Sequence, residues 1–457
     1  MASIVNRGSH YYVVYLYDDE RTGKRKQKWE SYPTIEAAKA RKTEVEYKQT
    51  AGTFVVPVCE TLEDLLKEYV SLYGRNTWSL SMYETTTRMI ESYIVPYIGK
   101  MKIKDITPRV LEKYYQELLK EDALPKMTDK KGAKKKRKIT PYTVNRIHSV
   151  LKSCFHQAMK WELMEKNPAT LVMLPKTKPQ KRKIWDAETL FHAVEVCKDE
   201  QLKLAIDLAF ACTLRIGELL ALTWDCVDIS NESIRTGRAS VYINKTLQRV
   251  SKKALQAMDM KDVLVLFPEQ KNHNASVLVL KKPKTESSIR RVFLPKTVAD
   301  MLVQWKVRQD QVKEMTGDSY EDYQMVFAGE HGFPTEAARI NKKFQDLIQE
   351  NDLPKVVFHS LRHTSITYKL KLNGGDVKSV QGDSGHAEAK MVLDQYSHIL
   401  DDGRMKNAEL IESAFYSGKE QTAQEASVTD TKEETLKRLL ADPETAALLM
   451  ALMNKIK

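Results

Sequence analysis

FHSLRHTSIT (residues 358–367) sets two histidines around one arginine in a chain with ten histidines among 457 residues. The stretch runs on to Gly374-Gly375, and that ending predicts a helix over FHSLRHTSITYKLKL. His359 and His363 stand four apart, as a metal-binding pair on one helix face would. His359 and Arg362 stand three apart, as a grip on phosphate would. The glutamate of an H-E-x-x-H zinc helix is missing, because Ser360 follows His359, and Arg362 between the rings repels a cation. No third ligand is evident. Phosphate is therefore the better reading of these ten residues.

The bulk of the chain agrees with an anionic partner. Net charge is +12, from 73 basic and 61 acidic residues, which favours nucleic acid without demanding it. Its length implies roughly three domains, and 42% hydrophobic residues suffice for soluble cores. Cys59, Cys154, Cys197, Cys212 and Cys226 are odd in number and form no C-x-x-C pair. Neither a disulfide framework nor a zinc ribbon is indicated, and buried thiols in a reducing cytosol are expected. The chain has no apolar run of 18 residues and no N-terminal apolar region. It is expected to be cytoplasmic, neither secreted nor membrane-spanning.

Working outward, the expected class is mainly α with small β-sheets (α+β). Residues 1–57 read as a small sheet plus a helix. HYYVVYLYDD suits a strand, and a second strand carries Lys24, Arg25, Lys26 and Lys28. The helix that follows has Thr34 as its cap. That basic strand could lie in a DNA groove, or simply be a solvated hairpin whose edge lysines guard against pairing. Residues 58–175 read as all-helical, with Thr61 and Asp64 as a near capping box and Thr107-Pro108 opening another helix. Within them, residues 126–138 hold eight basic residues and one acid, among them Lys134, Lys135, Lys136, Arg137 and Lys138. This loop or insert either touches phosphate or is solvated. Proline-rich residues 167–183 mark a boundary, and residues 176–183, with Lys181, Arg182 and Lys183, form a basic linker. Residues 184–416 are the largest unit, with an apolar run over 201–229, several strands, and Lys284 in a hairpin turn. The tail, 417–457, ends in an apolar helix that suits packing on protein.

Several polar residues in the large unit stand out. Arg215 interrupts the apolar run and needs either a partner or a cleft, and Glu218, three on, could orient it. His386 follows a glycine near a helix start. Tyr396 alone would pass for a core tyrosine. In the order Arg215, Lys284, His359-x-x-Arg362, His386, Tyr396, however, the set resembles the tyrosine recombinase (phage integrase) family. The stretches carrying the resemblance are TLRIGELLALTW, PKTESSIRRVFLP, HSLRHTSIT and SGHAEAKMVLDQYSHI. The chain is most similar to integrases of conjugative transposons and temperate phages.

The resemblance implies an arm-type DNA-binding domain (1–57), a SAM-like core-binding domain (58–175) and a mixed α/β catalytic domain (184–416). Arg215 and Arg362 would clamp one phosphodiester through paired hydrogen bonds. Tyr396 would be the nucleophile, giving a 3′-phosphotyrosine bond. His359 would be the acid/base group, Lys284 the donor to the leaving 5′-oxygen, His386 a donor to phosphate, and Glu218 the support of Arg215. Lys281 and Lys282 lie close enough to leave the lysine assignment open. No metal or ATP is implied, since the phosphotyrosine conserves the bond energy. The implied partners are double-stranded DNA at core-type and arm-type sites, three further copies in a tetramer, and accessory excision or bending proteins. The implied location is the nucleoid. One departure is Ser384, where the family commonly carries leucine, expected to be a packing change. A non-catalytic DNA binder and a type IB topoisomerase-like enzyme on the same fold are the alternatives.

Overall fold

The computed structural model describes residues 2–19, 24–50, 59–123, 137–177, 183–268, 275–396 and 411, without the side chains at 18, 19, 24, 48, 391 and 394–396. Lys134, Lys135, Lys136, Lys181, Arg182, the Lys24 side chain and the tail from 417 lie outside the described residues. The chain divides into two compact units: residues 1–179 with 250–261, and residues 180–249 with 262–457.

The first unit opens with an antiparallel sheet in the order β1 (Ser3–Arg7), β2 (His10–Asp19), β3 (Lys24–Tyr32). Helix α1 (Ile35–Thr50) covers it. The sequence announces two of these strands; β1, too short to declare a pattern, is the third. Val13 and Tyr15 meet Ala38 and Val45 in a small core. Thr34 caps α1 by accepting the Ala37 N–H.

The same unit continues with helices α2 (Leu62–Glu68), α3 (Leu80–Met89), α4 (Pro108–Leu118) and α5 (Pro141–Lys160). The Thr61–Asp64 capping box is complete, and Thr107 caps α4 with Pro108 at its first position. Leu62, Leu65 and Leu66 pack with Leu111, Tyr115, Leu118, Leu151 and Phe155. Each such leucine contributes about 1.5–3 kcal/mol by leaving water.

The second unit begins with α6 (Ala187–Val196), capped by Asp186, and α7 (Glu200–Ala211). The apolar run 201–229 is not one helix. It breaks at Thr213, whose φ of 56° is left-handed, and resumes as the single turn α8 (Ile216–Leu219). Six strands follow: β4 (Val227–Asp228), β5 (Ser240–Ile243), β6 (Thr246–Ser251), β7 (Val263–Leu266), β8 (Ser276–Lys281) and β9 (Arg290–Phe293). They form two sheets, β4-β5-β9 and β6-β8-β7.

That topology adds one detail and corrects one expectation. VYINKTLQRV, strand-like throughout, is split between β5 and β6 in different sheets. The segment bearing Lys284 is not a hairpin turn, since β8 and β9 belong to different sheets and the chain crosses from one to the other. Alternating apolar residues reveal each strand but not its partner, because pairing is decided by tertiary packing.

Helices α9 (Lys296–Thr316), α10 (Ala337–Glu350), α11 (His359–Leu372), α12 (Val377–Ser384) and α13 (Ala389–Tyr396) complete the unit. Helix α11 ends as its glycines dictate, with Gly374 and Gly375 both at positive φ. Its middle, Leu361 to Thr367, is wholly buried, polar residues included. All five cysteines are buried free thiols.

Candidate active site

The break after α7 positions the first arginine. Thr213 is buried and β-branched at positive φ, a strained combination that surrounding contacts must hold. Its hydroxyl is hydrogen-bonded to Ser365 on α11 at 2.9 Å, and its carbonyl accepts from Arg362 Nη1. Arg215 then caps α8. Its backbone N–H donates to Glu218 Oε2 at 3.1 Å, and its Nη1 donates to Glu218 Oε1 at 2.6 Å. The Glu218 side chain is 5% exposed and that of Arg215 is 37% exposed, so the pair reaches from core to surface.

A third guanidinium enters from β9. Arg290, 8% exposed, donates from Nη2 to Glu218 Oε2 at 2.9 Å and from Nη1 to Ser288 O at 2.9 Å. Burial alone would raise the Glu218 carboxyl, but the Arg290 and Arg215 guanidiniums outweigh it and hold the group below the ordinary carboxylate range.

The three arginines converge on the end of α12. A helix C-terminus leaves its last carbonyls without intrahelical partners and carries partial negative charge. Here three successive carbonyls each take one arginine. Arg290 Nε donates to Asp383 O at 2.6 Å, Arg362 Nη2 to Ser384 O at 2.6 Å, and Arg215 Nη2 to Gly385 O at 3.5 Å. Gly385 turns the chain at φ 62°, and a Cβ there would lie 2.9 Å from Arg290 Nη1 and 3.0 Å from Ser287 O. Glycine is required on both counts.

His386 follows that turn. Its Nε2 lies 3.3 Å from Arg362 Nη2 and its Nδ1 lies 2.9 Å from Ser384 Oγ. Gln381 Nε2 anchors the backbone by donating to His386 O at 3.0 Å. Burial, then the charges of Arg362, Arg215 and Arg290, push the imidazole down to about 4, so it is neutral at pH 7.

Among the described residues, three guanidiniums meet one carboxylate, which gives the cluster surplus positive charge. Two of the arginines are almost wholly buried, while Arg215 opens to solvent. Such a site suits a tetrahedral anion, and a phosphodiester offers two non-bridging oxygens to fork-shaped donors.

Of the residues singled out from sequence, the structure brings Arg215, Glu218, Arg362 and His386 together. His359 is exposed on the first turn of α11, one turn before Arg362, with its ring edge-on to His363 at 4.9 Å. Lys284 is exposed in the crossing between β8 and β9, and among the described residues no hydrogen bond ties it to the cluster. Lys281, by contrast, is 5% exposed, and burial holds its ammonium below the ordinary lysine range. Tyr396 is the last residue of α13, and its side chain lies outside the described residues.

The basic residues marked for DNA differ among themselves. Arg25, Lys26 and Lys183 are exposed. Lys28 pairs with Glu60 at 2.9 Å. Lys138 pairs with Asp122 at 2.9 Å and donates to Lys120 O at 2.7 Å, so its charge is already engaged within the protein. Arg137 contributes its carbonyl to Ala123 N–H at 2.6 Å.

Sequence reasoning missed Arg290. The available signal was the adjacent pair Arg290-Arg291 in a strand: neighbouring side chains point to opposite faces, so one of the two had to turn inward with Val292.

The comparisons with known proteins fit this geometry. Residues 185–402 match the model of the phage integrase family, and residues 61–119 match the N-terminal SAM-like domain of phage integrases. A "Tyrosine recombinase XerC-like" protein of Caldanaerobacter subterraneus subsp. tengcongensis is 25% identical over 90% of this chain and 98% of its own length. The ICEBs1 integrase of Bacillus subtilis is 24% identical over 72% of this chain and 77% of its own. The Tn1549 transposon integrase, solved in complex with a circular intermediate DNA, superposes with a TM-score of 0.55 at 18% identity, over 77% of this chain and all of that one.

Proposed function

The chain belongs to the tyrosine recombinase family of phage integrases, and from that premise we propose that it is a site-specific DNA recombinase that integrates and excises a mobile element. The observation that carries the proposal is the convergence of Arg215, Arg290, Arg362 and His386 on the single turn after α12, immediately before the helix that ends in Tyr396. A cluster with surplus positive charge, followed ten residues after His386 by a tyrosine, suits phosphoryl transfer to a phenol. Relatives named as integrases of ICEBs1 and of transposon Tn1549 support the mobile-element role.

In this reading Arg215 and Arg362 take the two non-bridging oxygens of the scissile phosphate. They oppose the charge that grows on its equatorial oxygens, commonly the largest catalytic contribution. Tyr396 Oη forms the bond to phosphorus while the bond to the 5′-oxygen breaks. The phenol proton passes to a base, for which His359 is placed one turn from Arg362. The leaving oxygen takes a proton from Lys284. The 3′-phosphotyrosine retains the ester, so a new 5′-hydroxyl can reverse the step on another strand. Two pairs of such exchanges, on two duplexes held by four copies, pass through a four-way junction. Residues 1–57 bind arm-type sites and residues 58–175 bind core-type sites, with the basic linker 176–183 between the latter and the catalytic residues 184–416. The tail, 417–457, packs on a neighbouring copy.

The test uses the full chain and a duplex selected by it from a random-sequence pool, prepared with nicks staggered across the bound site. A denaturing gel then reads covalent adduct from wild type and from Tyr396→Phe. Adduct and junctions from wild type, and neither from the variant, are expected. Binding without adduct indicates a non-catalytic DNA binder. Adduct with supercoil relaxation but no junctions indicates a topoisomerase.

A further inference from the structure

Ser384 stands where packing alone would be served by an apolar residue. It is wholly buried, and its hydroxyl lies 2.9 Å from His386 Nδ1 and 3.3 Å from Gln381 O. A carbonyl only accepts, so the contact to Gln381 uses the serine proton. That leaves the serine oxygen to accept from Nδ1–H, which makes Nε2 the bare ring nitrogen. The far side of the ring agrees: Nε2 faces Arg362 Nη2 at 3.3 Å, and a guanidinium only donates. The free site thus reads as one directed chain, Arg362 to Nε2, Nδ1 to Ser384, Ser384 to Gln381.

This tautomer is wrong for phosphate. A neutral ring presenting a lone pair at Nε2 would repel an anionic oxygen, whereas Nε2–H would donate a charge-assisted bond to it. A hydroxyl can serve both states, because it donates as readily as it accepts. We propose that Ser384 is a positioning residue that lets His386 exchange tautomers, accepting from Nδ1–H in the free protein and donating to Nδ1 once a phosphodiester draws Nε2–H toward itself. The exchange is balanced. Nε2 takes a proton from solvent and the imidazolium so formed returns its Nδ1 proton to solvent, with no net proton gained or lost, while Ser384 only rotates its O–H away from Gln381. Arg362, with two further contacts to Thr213 O and Ser384 O, keeps its place when it releases Nε2. A leucine at 384 could hold neither tautomer.

This inference rests on the recombinase reading, and the experiment keeps the two apart. Ring-nitrogen chemical shifts of the full chain, labelled with 15N-histidine and assigned through His386→Asn, report the tautomer directly. Wild type is expected to show Nδ1–H alone, and Nε2–H in the complex with the selected duplex. In single-turnover cleavage Ser384→Ala should fall by about tenfold, less than outright loss of an oxyanion donor, with duplex affinity unchanged; Ser384→Cys, which keeps the volume and a weak donor, should lie between. One tautomer in both states, or a doubly protonated ring on DNA, overturns the proposal even if Ser384→Ala does not fold. So does unchanged cleavage by Ser384→Ala while wild type forms adduct, and that outcome leaves the recombinase reading intact. Absence of adduct from wild type removes both.

Discussion

Two clusters in this molecule are built from the same parts to opposite effect. In the first unit Glu30 accepts from Tyr15, Tyr32 and Arg41, with Arg41 Nε at 2.8 Å and the Tyr32 hydroxyl at 2.8 Å. Arg41 also pairs with Glu44 at 2.9 Å. Positive charge is fully matched there: although burial would raise it, Arg41 and the two hydroxyls hold the Glu30 carboxyl at about 2. In the second unit Glu218, more deeply buried, also receives guanidinium donors, but it serves Arg215 and Arg290 at once, with Arg362 close by. Among the described residues the balance is short of negative charge, and helix-end carbonyls make up the shortfall. An ion cluster whose cation is fully matched locks a fold, whereas one with cations in surplus is prepared for a ligand of opposite sign.

The strongest challenge to that contrast is Arg362→Lys. A point charge replaces a fork that spans Thr213 O and Ser384 O and, in the proposed function, grips a phosphate oxygen, so single-turnover cleavage should fall by about 10²–10³. Glu218→Gln comes next. It leaves the buried Arg290 without its carboxylate and unties Arg215, and should destabilise the second unit by about 3–5 kcal/mol, with a parallel loss of cleavage. Its counterpart Glu30→Gln should cost about 1–3 kcal/mol in thermal unfolding and leave cleavage at a core site unaltered. If both glutamine variants impaired cleavage equally, the distinction between balanced and surplus clusters would fail.

A finer probe is pH. The imidazole of His386 lies at about 4 when folded, against a reference value of 6.5. Below 6.5 the unfolded chain binds a proton that the folded chain refuses. Stability is therefore complete above 6.5, declines as pH falls toward about 4, and loses this dependence below it. Denaturant titrations across that window, compared with His386→Asn, measure the slope. The smallest effect concerns Asp207 on α7, whose buried Oδ2 has no hydrogen-bond partner among the described residues and whose carboxyl burial raises to about 6. Ionising it opposes folding, so Asp207→Asn should raise Tm by about 2–4 °C at pH 8 and leave it unchanged near pH 4.

How far the sequence discloses these clusters depends on what each residue needs. Asp186, Thr61 and Thr107 cap helices by rules that act within four residues, and all three do so in the structure. Arg215, Arg362 and His386 are conspicuous because a charge or an imidazole interrupts an apolar or glycine-marked run. Thr213 is silent, since nothing local announces a left-handed threonine; contacts from α11 impose it. Arg290 and Ser384 act through partners 72 and two residues away respectively, and only folding shows that both serve the same turn. The crossing of Lys284 between two sheets was hidden for the same reason, because strands disclose themselves locally and their neighbours do not.

The carbonyls of Asp383, Ser384 and Gly385 have one more consequence, for the way salt governs association. Mobile counterions collect around exposed cations and around DNA, and binding is driven by their release. Arg290 and Arg362 are already engaged by fixed dipoles in the interior, where they hold no such ions. The steepness of affinity against ionic strength should then be carried mainly by exposed cations such as Arg25, Lys26 and Lys183, and the buried pair should add only the counterions of the one phosphate that Arg362 would neutralise.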